Sequence, residues 1–338
     1  MPERILIIRP SALGDVCRSV PVLASLRRAF PGATIDWLVQ DSFADAIAHH
    51  PALSNVVPFA RRALGASASR GRLGDSLAFL RSLREARYDL VFDMQGLARS
   101  GIFAWATRAP RRVGFANARE GGWLGVNERH GVARGLHSVD HMLELLRRAG
   151  VEPVADMRLY APPAGHDAAL ANTRYGVVAP TSRWPGKRWP ADRFTSLAQR
   201  LLADRSRLDT IVLVGAKSER DQCTPLVELA SREPRIVDRI GATSIGSLMA
   251  LIERSTLVVA NDSAALHMAV GFDRPLVALY GPTRVDLVGP YRREKDVVQH
   301  ITPADTLDHK NEAAGRALME RITVDEVLAR ATAALAKA

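Results

Sequence analysis

Four short segments of this chain gather residues that can do chemistry, and each follows an apolar run. In the first, Arg4 to Arg9 leads into Pro10-Ser11-Ala12-Leu13-Gly14-Asp15, which sets a carboxylate at the start of a helix. Asp15 can serve as a helix cap, which the macrodipole favours, or as a base facing a ligand. The second, Ala179 to Pro190, collects Thr181, Ser182 and Lys187 with Arg183 and Arg188. Hydroxyl donors plus a lysine suit a diphosphate, although a Pro/Gly turn with exposed cations has the same composition. The third runs Asn261-Asp262-Ser263-Ala264-Ala265-Leu266-His267 into a helix rich in small residues. Free N–H groups there could cradle phosphate; equally, Asp262 could be a cap and His267 a structural histidine. The fourth, Asp93-Met94-Gln95-Gly96-Leu97, offers a carboxylate and an amide to a sugar, or forms an Asx turn.

These loops must be held by alternating strands and helices. Apolar residues recur at helical spacing through Val16, Val20, Leu23, Leu26 and Phe30. Strands are expected near Thr34 to Val39, Val56 to Phe59 and Asp89 to Asp93, with helices at Phe43 to His49, Ser76 to Ala86 and Ser138 to Ala149. The second half repeats the theme. Its expected strands are Tyr175 to Ala179, Thr210 to Gly215, Leu257 to Ala260 and Leu276 to Tyr280; its helices are Ala191 to Ala203, Ser218 to Ala230, Ser244 to Arg254 and Ser263 to Val270. Apolar strands of this kind belong to parallel sheets covered on both faces. The expected fold is α/β, two Rossmann-like doubly wound domains facing across a cleft. The boundaries expected are 1–150 for the first domain, 151–172 for a linker marked by Pro153, Pro162, Pro163 and Gly165, and 173–322 for the second domain. A closing helix, 323–338, begins with a capping box at Thr323 and Glu326 and is expected to pack back on the first domain.

Composition narrows the function. The 338 residues are 47% hydrophobic and 24% charged, which suits a globular protein of two domains. No apolar run is long enough to span a bilayer and no leader precedes the first strand, so a cytoplasmic location is expected. Cys17 and Cys223 stand apart from each other and from any Cys/His cluster, so neither disulfide nor zinc is expected. No GxGxxG or Walker sequence occurs, which argues against a dinucleotide-dependent dehydrogenase and a P-loop enzyme. The formal charge is +10 and it is uneven. Between Pro58 and Arg119 stand Arg61, Arg62, Arg70, Arg72, Arg81, Arg84, Arg87, Arg99, Arg108, Arg111, Arg112 and Arg119 against Asp75, Glu85, Asp89 and Asp93. Such a face attracts an anion, whether nucleic acid, membrane or phosphorylated substrate. No nucleic-acid-binding signature accompanies it, so a basic nucleic-acid-binding protein is the weaker alternative and no nucleic acid is expected as partner.

Taken together and in this order, the loops resemble the lipopolysaccharide heptosyltransferase family, glycosyltransferase family 9, over Arg4 to about Tyr291. The matching segments are Arg9 to Val16, Asp93 to Leu97, Ala118-Arg119-Glu120, Lys187 to Pro190, Asn261 to His267 and Leu279 to Thr283. Asp93 to Leu97 followed by Ala118-Arg119-Glu120 is closer to the heptosyltransferase I branch than to the second. One position departs: Ala264 stands where the family usually has glycine.

The resemblance implies a GT-B fold and inverting transfer of heptose from ADP-heptose to Kdo of Kdo-lipid A, without metal or cofactor. It implies Asp15 as general base and Lys187, Thr181, Ser182, Ser263 and Ala264 around the leaving diphosphate. Glu219 then faces the donor ribose, Thr243 and Ser244 lie near adenine, and Asp262 and His267 meet the donor's sugar and phosphate side. The acceptor's anionic groups fall to Arg61, Arg62 and Arg119, with Asp93 and Gln95 facing its sugar. The remaining arginines would rest on the anionic inner-membrane surface, making the protein peripheral on its cytoplasmic side. Heptosyltransferase II, or a relative with another donor or acceptor, is the alternative within the family.

Overall fold

The computed structural model describes residues 1–69, 74–163, 167–204 and 207–337. Arg70, Arg72 and Gly165, named above, lie outside the described residues. The chain divides into two compact units, Met1–Tyr160 and Ala161–Ala338.

The first unit is built on a six-stranded sheet of β1 (Arg4–Ile8), β2 (Thr34–Gln40), β3 (Asn55–Phe59), β4 (Leu90–Asp93), β5 (Arg111–Phe115) and β6 (Glu128–His130). Its order is β3-β2-β1-β4-β5-β6 and every pairing is parallel. Parallel neighbours need crossovers. These are supplied by α1 (Leu13–Arg18), α2 (Val20–Ala29), α3 (Arg61–Ser69), α4 (Gly74–Glu85) and α5 (Ala98–Thr107), with α6 (Ser138–Arg148) after the last strand. Ile5, Leu6, Ile7 and Ile8 are fully buried, as expected of a central strand covered on both faces.

The second unit repeats the design. Its strands are β7 (Tyr175–Ala179), β8 (Thr210–Leu213), β9 (Ile236–Asp238), β10 (Leu257–Asn261), β11 (Leu276–Leu279) and β12 (Val297–Val298), ordered β9-β8-β7-β10-β11-β12 and again all parallel. Around them lie α7 (Ala191–Ala203), α8 (Thr224–Ala230), α9 (Ile245–Glu253), α10 (Ala264–Gly271), α11 (Val285–Val288), α12 (Glu312–Glu320) and α13 (Val324–Leu335). Both units are therefore doubly wound and Rossmann-like, as expected. In each, strand order reverses at one place, between β1 and β4 and between β7 and β10, and the crevice beyond the strand ends there is where such sheets bind ligands. The loops after these four strands are the four segments singled out in the sequence.

Several expectations change. The segment after β2 is a 3-10 turn, Asp41–Ala46, and the first part of the helix expected from Ser218 is another, Lys217–Cys223. The start of the expected linker is packed: Val151 and Leu159 are buried, and the Val154 N–H donates to Ser25 Oγ at 2.8 Å. Thr323 caps α13 as expected, accepting from the Glu326 N–H at 3.3 Å. Helix α13 packs within the second unit. Val327 and Ala331, both fully buried, join the second unit's core with Leu197, Leu201 and Val259, because its apolar face matches α7 and the sheet beneath it.

Close backbone packing fixes one corner of the first unit. The 3-10 turn Gly122–Gly125 lies directly on α5, where Gly101 meets Gly122 and Gly125 with no room for a side chain. A methyl on Gly122 would come within 2.7 Å of the Leu97 carbonyl. A methyl on Gly65 in α3, by contrast, would meet nothing within 4 Å. Gly101→Ala should therefore lower stability by about 1–3 kcal/mol despite alanine's better helix propensity, whereas Gly65→Ala should raise it by about 0.5–1 kcal/mol, both read from thermal or urea unfolding.

Candidate active site

In the first unit, the loop after β1 turns at once into α1, whose first turn carries Asp15. Its carboxylate accepts from the Ala12 N–H at 3.2 Å, pairs with Arg9 at 3.4 Å and is held by the Arg18 guanidinium. Burial works against its charge, but the two guanidiniums and the N–H outweigh it and bring its pKa down to about 2. Asp15 is thus a fixed anion at neutral pH. Arg9 also donates to the Met94 carbonyl, so one buried cation joins the loops after β1 and β4. From the fourth loop, Gln95 Oε1 accepts from the Ser11 N–H at 3.4 Å.

Asp93 does not face outward as the sequence reading placed it. It is 1% exposed, and its oxygens accept from the Gln95 N–H at 2.9 Å, the Gly96 N–H at 3.1 Å and Ser100 Oγ at 2.9 Å. These bonds close the Asx turn that the sequence left open as an alternative, with Gly96 in the left-handed region at φ 64°. Asp93 shapes the loop. Burial, which the three hydrogen bonds only partly offset, raises its pKa to about 6.

Beside this loop opens a concavity of about 510 Å³, lined by Gln95 and Arg119 with Arg9, Arg134, Ser138 and His141. His141 stacks on Phe115 with ring centroids 4.4 Å apart, and burial followed by the charge of Arg9 lowers its pKa, leaving a neutral imidazole at pH 7. Arg134, Ser138 and His141 were missed in the sequence because they come from the stretch before and within α6, away from any strand end. Arg61 and Arg62, exposed at the start of α3, are not part of this concavity. Arg61 lines a separate apolar groove with Phe59, Phe79, Ile102 and Phe103.

In the second unit, Asn261 at the end of β10 ties the second and third loops together. Its amide donates to the Pro180 carbonyl at 2.7 Å and accepts from the Trp189 N–H at 3.1 Å. Lys187, in the 3-10 turn Pro185–Lys187, pairs with Asp262 at 2.7 Å, and Thr283 Oγ1 donates to the same carboxylate oxygen at 2.7 Å. Asp262 therefore positions the lysine instead of capping α10. Ser263 occupies the N-cap of α10 with its hydroxyl buried and without a hydrogen-bond partner, followed by Ala264 at the first helical position. Ser182 Oγ lies 3.5 Å from the Asp262 carbonyl. His267, one turn into α10, is 5% exposed. A cation, two hydroxyls and the unpaired N–H groups of a helix start thus converge beyond β7 and β10, an arrangement suited to phosphate oxygens.

Glu219 stands in the loop after β8, where it accepts from Thr181 Oγ1 at 2.8 Å. Gly215 makes this possible, since a methyl there would fall 2.8 Å from the Thr181 hydroxyl. The loop after β9 packs alongside: the Gly241 N–H donates to the Gly215 carbonyl at 2.9 Å, and Ser244 caps α9 by accepting from the Ser247 N–H at 3.0 Å, with Thr243 half-buried before it. Among the described residues, no group of three or more His, Cys, Asp or Glu side chains is arranged to hold a metal ion. Cys17 and Cys223 are both buried free thiols, and burial raises the pKa of each.

Comparison with known proteins matches residues 76–316 to glycosyltransferase family 9 (heptosyltransferase). Lipopolysaccharide heptosyltransferase 1 of Pseudomonas aeruginosa is 31% identical over 310 residues, 86% of this chain and 82% of the relative. Its namesake from Escherichia coli K12 is 28% identical over 95% of this chain and 99% of its own length. Among solved structures, E. coli heptosyltransferase WaaC with ADP-2-deoxy-2-fluoro heptose has a TM-score of 0.72 at 25% identity, covering 94% of this chain and 99% of that one. E. coli ADP-heptose lps heptosyltransferase II has a TM-score of 0.81 at 21% identity, with 99% of both chains covered.

Asp93 sets a pH test. Its raised pKa means that the native state holds the proton more tightly than the unfolded chain, so stability present below the ordinary 3.8 is lost as pH rises through about 6. Asp15 has the opposite sign, its contribution being lost only as pH falls from 3.8 through about 2. In Asp93→Asn, the amide oxygen can keep both backbone N–H bonds and the NH₂ can donate to Ser100 Oγ. This variant should fold and should lose the stability change between pH 4 and 6, measured by urea unfolding at a series of pH values.

Proposed function

Because the chain belongs to glycosyltransferase family 9, the heptosyltransferases, we propose that it carries L-glycero-D-manno-heptose from ADP-heptose to a Kdo hydroxyl of Kdo-lipid A. This is an inner-core step of lipopolysaccharide assembly, and the work is done at the cytoplasmic face of the inner membrane. The observation that carries the reading is the second unit's phosphate-suited corner, where Lys187, Ser182 and the unpartnered Ser263 hydroxyl meet the start of α10. The named E. coli structure holding an ADP-heptose analogue supports the donor.

In this reading the diphosphate of the donor lies against Lys187, Ser182, Ser263 and the N–H groups of Ala264 and Ala265. Ala264 replaces a usual glycine without removing its N–H. Glu219 faces the ribose, with Thr181 holding its carboxylate; Thr243 and Ser244 lie toward adenine. Asp262 keeps the Lys187 ammonium in place, and His267 backs the phosphate side from within α10. In the first unit, Arg119 and Gln95 receive the Kdo end of the acceptor, and Arg61 and Arg62 receive its phosphorylated remainder.

The reaction then follows. The acceptor hydroxyl oxygen bonds to the anomeric carbon from the face opposite the diphosphate, while the bond from that carbon to the phosphate oxygen breaks and its electron pair leaves with ADP. The hydroxyl proton passes to Asp15. Lys187 and the helix N–H groups stabilise the charge that grows on the leaving diphosphate, and the configuration at the anomeric carbon inverts.

The test is transfer from ADP-heptose to Kdo-lipid A by the purified protein, with donor binding measured alongside. Wild type should turn over. Asp15→Ala should bind donor normally and lose about a hundred- to ten-thousandfold in kcat, the usual range for a general base. Lys187→Met should weaken ADP-heptose binding and also lower kcat, because its ammonium meets the phosphate in both the ground and transition states. A wild-type protein inactive on this pair but active with another sugar donor would move the assignment to the family alternative.

A further inference from the structure

The apolar surface of the first unit is unevenly placed. On α5, Ile102 and Trp105 are 50% and 46% exposed; on the adjoining 3-10 turn, Trp123 and Leu124 are 37% and 66% exposed. Nothing in their order makes them neighbours except the glycine contact of Gly101 with Gly122 and Gly125, which presses the turn onto the helix backbone to backbone. Both tryptophans carry a guanidinium on the ring: Arg108 lies 4.1 Å from the Trp105 centroid and Arg129 lies 4.8 Å from that of Trp123. Arg99, exposed one turn before Ile102, completes the set and leads into the 280 Å³ apolar groove floored by Phe59, Phe79 and Phe103.

None of Arg99, Arg108 and Arg129 forms an ion pair among the described residues, whereas Arg174, Arg200, Arg220, Arg235, Arg293 and Arg321 of the second unit all do. The nearby carboxylates in sequence are Glu120, exposed beside the turn, and Glu128, which Arg111 and His130 already occupy. A face of tryptophan, leucine and isoleucine rimmed by uncompensated arginines has the composition of a membrane interface, where indole rings sit at headgroup depth and cations meet anionic lipid. Among the described residues, no helix is long and apolar enough to cross a membrane.

We propose that the face formed by α5 and the turn Gly122–Gly125 docks on an anionic bilayer surface, with Trp105, Trp123, Leu124 and Ile102 entering the interface and Arg99, Arg108 and Arg129 pairing with lipid headgroups. This deepens the functional reading, since it names the surface that brings the enzyme to a lipid-linked acceptor, but the binding itself requires neither donor nor acceptor. Its occupant is the bilayer, because the unpaired cations call for many anions spread over an area and the apolar residues protrude instead of forming a closed pocket.

The experiment is flotation of the full chain with vesicles of phosphatidylethanolamine and phosphatidylglycerol, and with vesicles of phosphatidylcholine alone, neither containing acceptor. Wild type should float with the anionic vesicles and show a blue shift of tryptophan emission. Trp123→Ser with Leu124→Ser should weaken that binding by about tenfold or more while leaving transfer to a deacylated, water-soluble acceptor unchanged. Arg108→Glu with Arg129→Glu should do the same and should also reduce the dependence of binding on salt. A wild-type protein that stays with neither vesicle would overturn the proposal. So would variants that bind like wild type, including the case in which they alter self-association alone and so assign the face to a second copy of the chain. Vesicle binding that follows these expectations, in a protein without heptosyl transfer in detergent, would sink the functional reading and leave the docking face standing.

Discussion

Buried polar side chains that staple paired loops are the constraint on which the rest of this architecture depends. A doubly wound sheet produces a crevice wherever its strand order reverses, but it does not by itself hold the two loops bordering that crevice in register. In the first unit Arg9 does so, binding the Met94 carbonyl of one loop and the Asp15 carboxylate of the other from a side chain that is 13% exposed. In the second, Asn261 and Asp262 share the task, the former through Pro180 and Trp189, the latter through Lys187 and Thr283. Removing one partner of a buried charged pair leaves the other unpaired, which costs about 3–5 kcal/mol. The loops therefore keep their shapes because alternative shapes strand a charge.

This explains what could be read from the residues. Strands β1, β7 and β10 are legible because burial on both faces requires an uninterrupted apolar run, as in Ile5 to Ile8 and Leu257 to Ala260. The active loops are legible for the same reason, since they begin where those runs end. The edge strands β6 and β12 carry no such mark. Strand β6 is Glu-Arg-His, with one neighbour and no fully buried residue, and β12 has two residues. The contents of the Gln95 and Arg119 concavity were half visible, because strand-end residues can be anticipated while Arg134, Ser138 and His141 arrive through the docking of α6, a tertiary event. The inward turn of Asp93 was open in the sequence because an Asx turn and a ligand-facing aspartate use the same residues; three hydrogen bonds decide between them.

The arginine excess was visible as a count but not as a distribution of free charge. Much of the second unit's basic character is internal, spent in pairs such as Arg174 with Asp209, Arg220 with Asp238 and Arg321 with Asp305. In the first unit, Arg18 and Arg111 are likewise committed, to Asp15 and Glu128. Exposed arginines without an ion pair among the described residues include Arg81 and Arg84 on α4, Arg99 on α5 and Arg61 and Arg62 on α3, so the first unit presents free positive charge to solvent. Exposed cations cost little when solvated, and a carboxylate partner on the surface would add about 0–1 kcal/mol. Stability alone therefore gives no reason to leave them unpaired or to pair them.

Asp15 raises the remaining chemical question, because a carboxylate with a pKa of about 2 is a weak base for an alcohol. The same two guanidiniums that weaken it also fix its position and guarantee its charge. In glycosyl transfer positive charge builds on the sugar as the leaving group departs, and the attacking hydroxyl becomes strongly acidic only once its bond to carbon is largely formed. A pinned anion is well matched to that sequence. In the proposed reaction it would orient the hydroxyl and oppose the developing positive charge from the start, and it would need to accept the proton only late, when the oxygen gives it up readily. Arg9 and Arg18 thus trade basicity for preorganisation, and the acidity of Asp15 becomes compatible with a role as base provided that proton transfer follows carbon–oxygen bond formation.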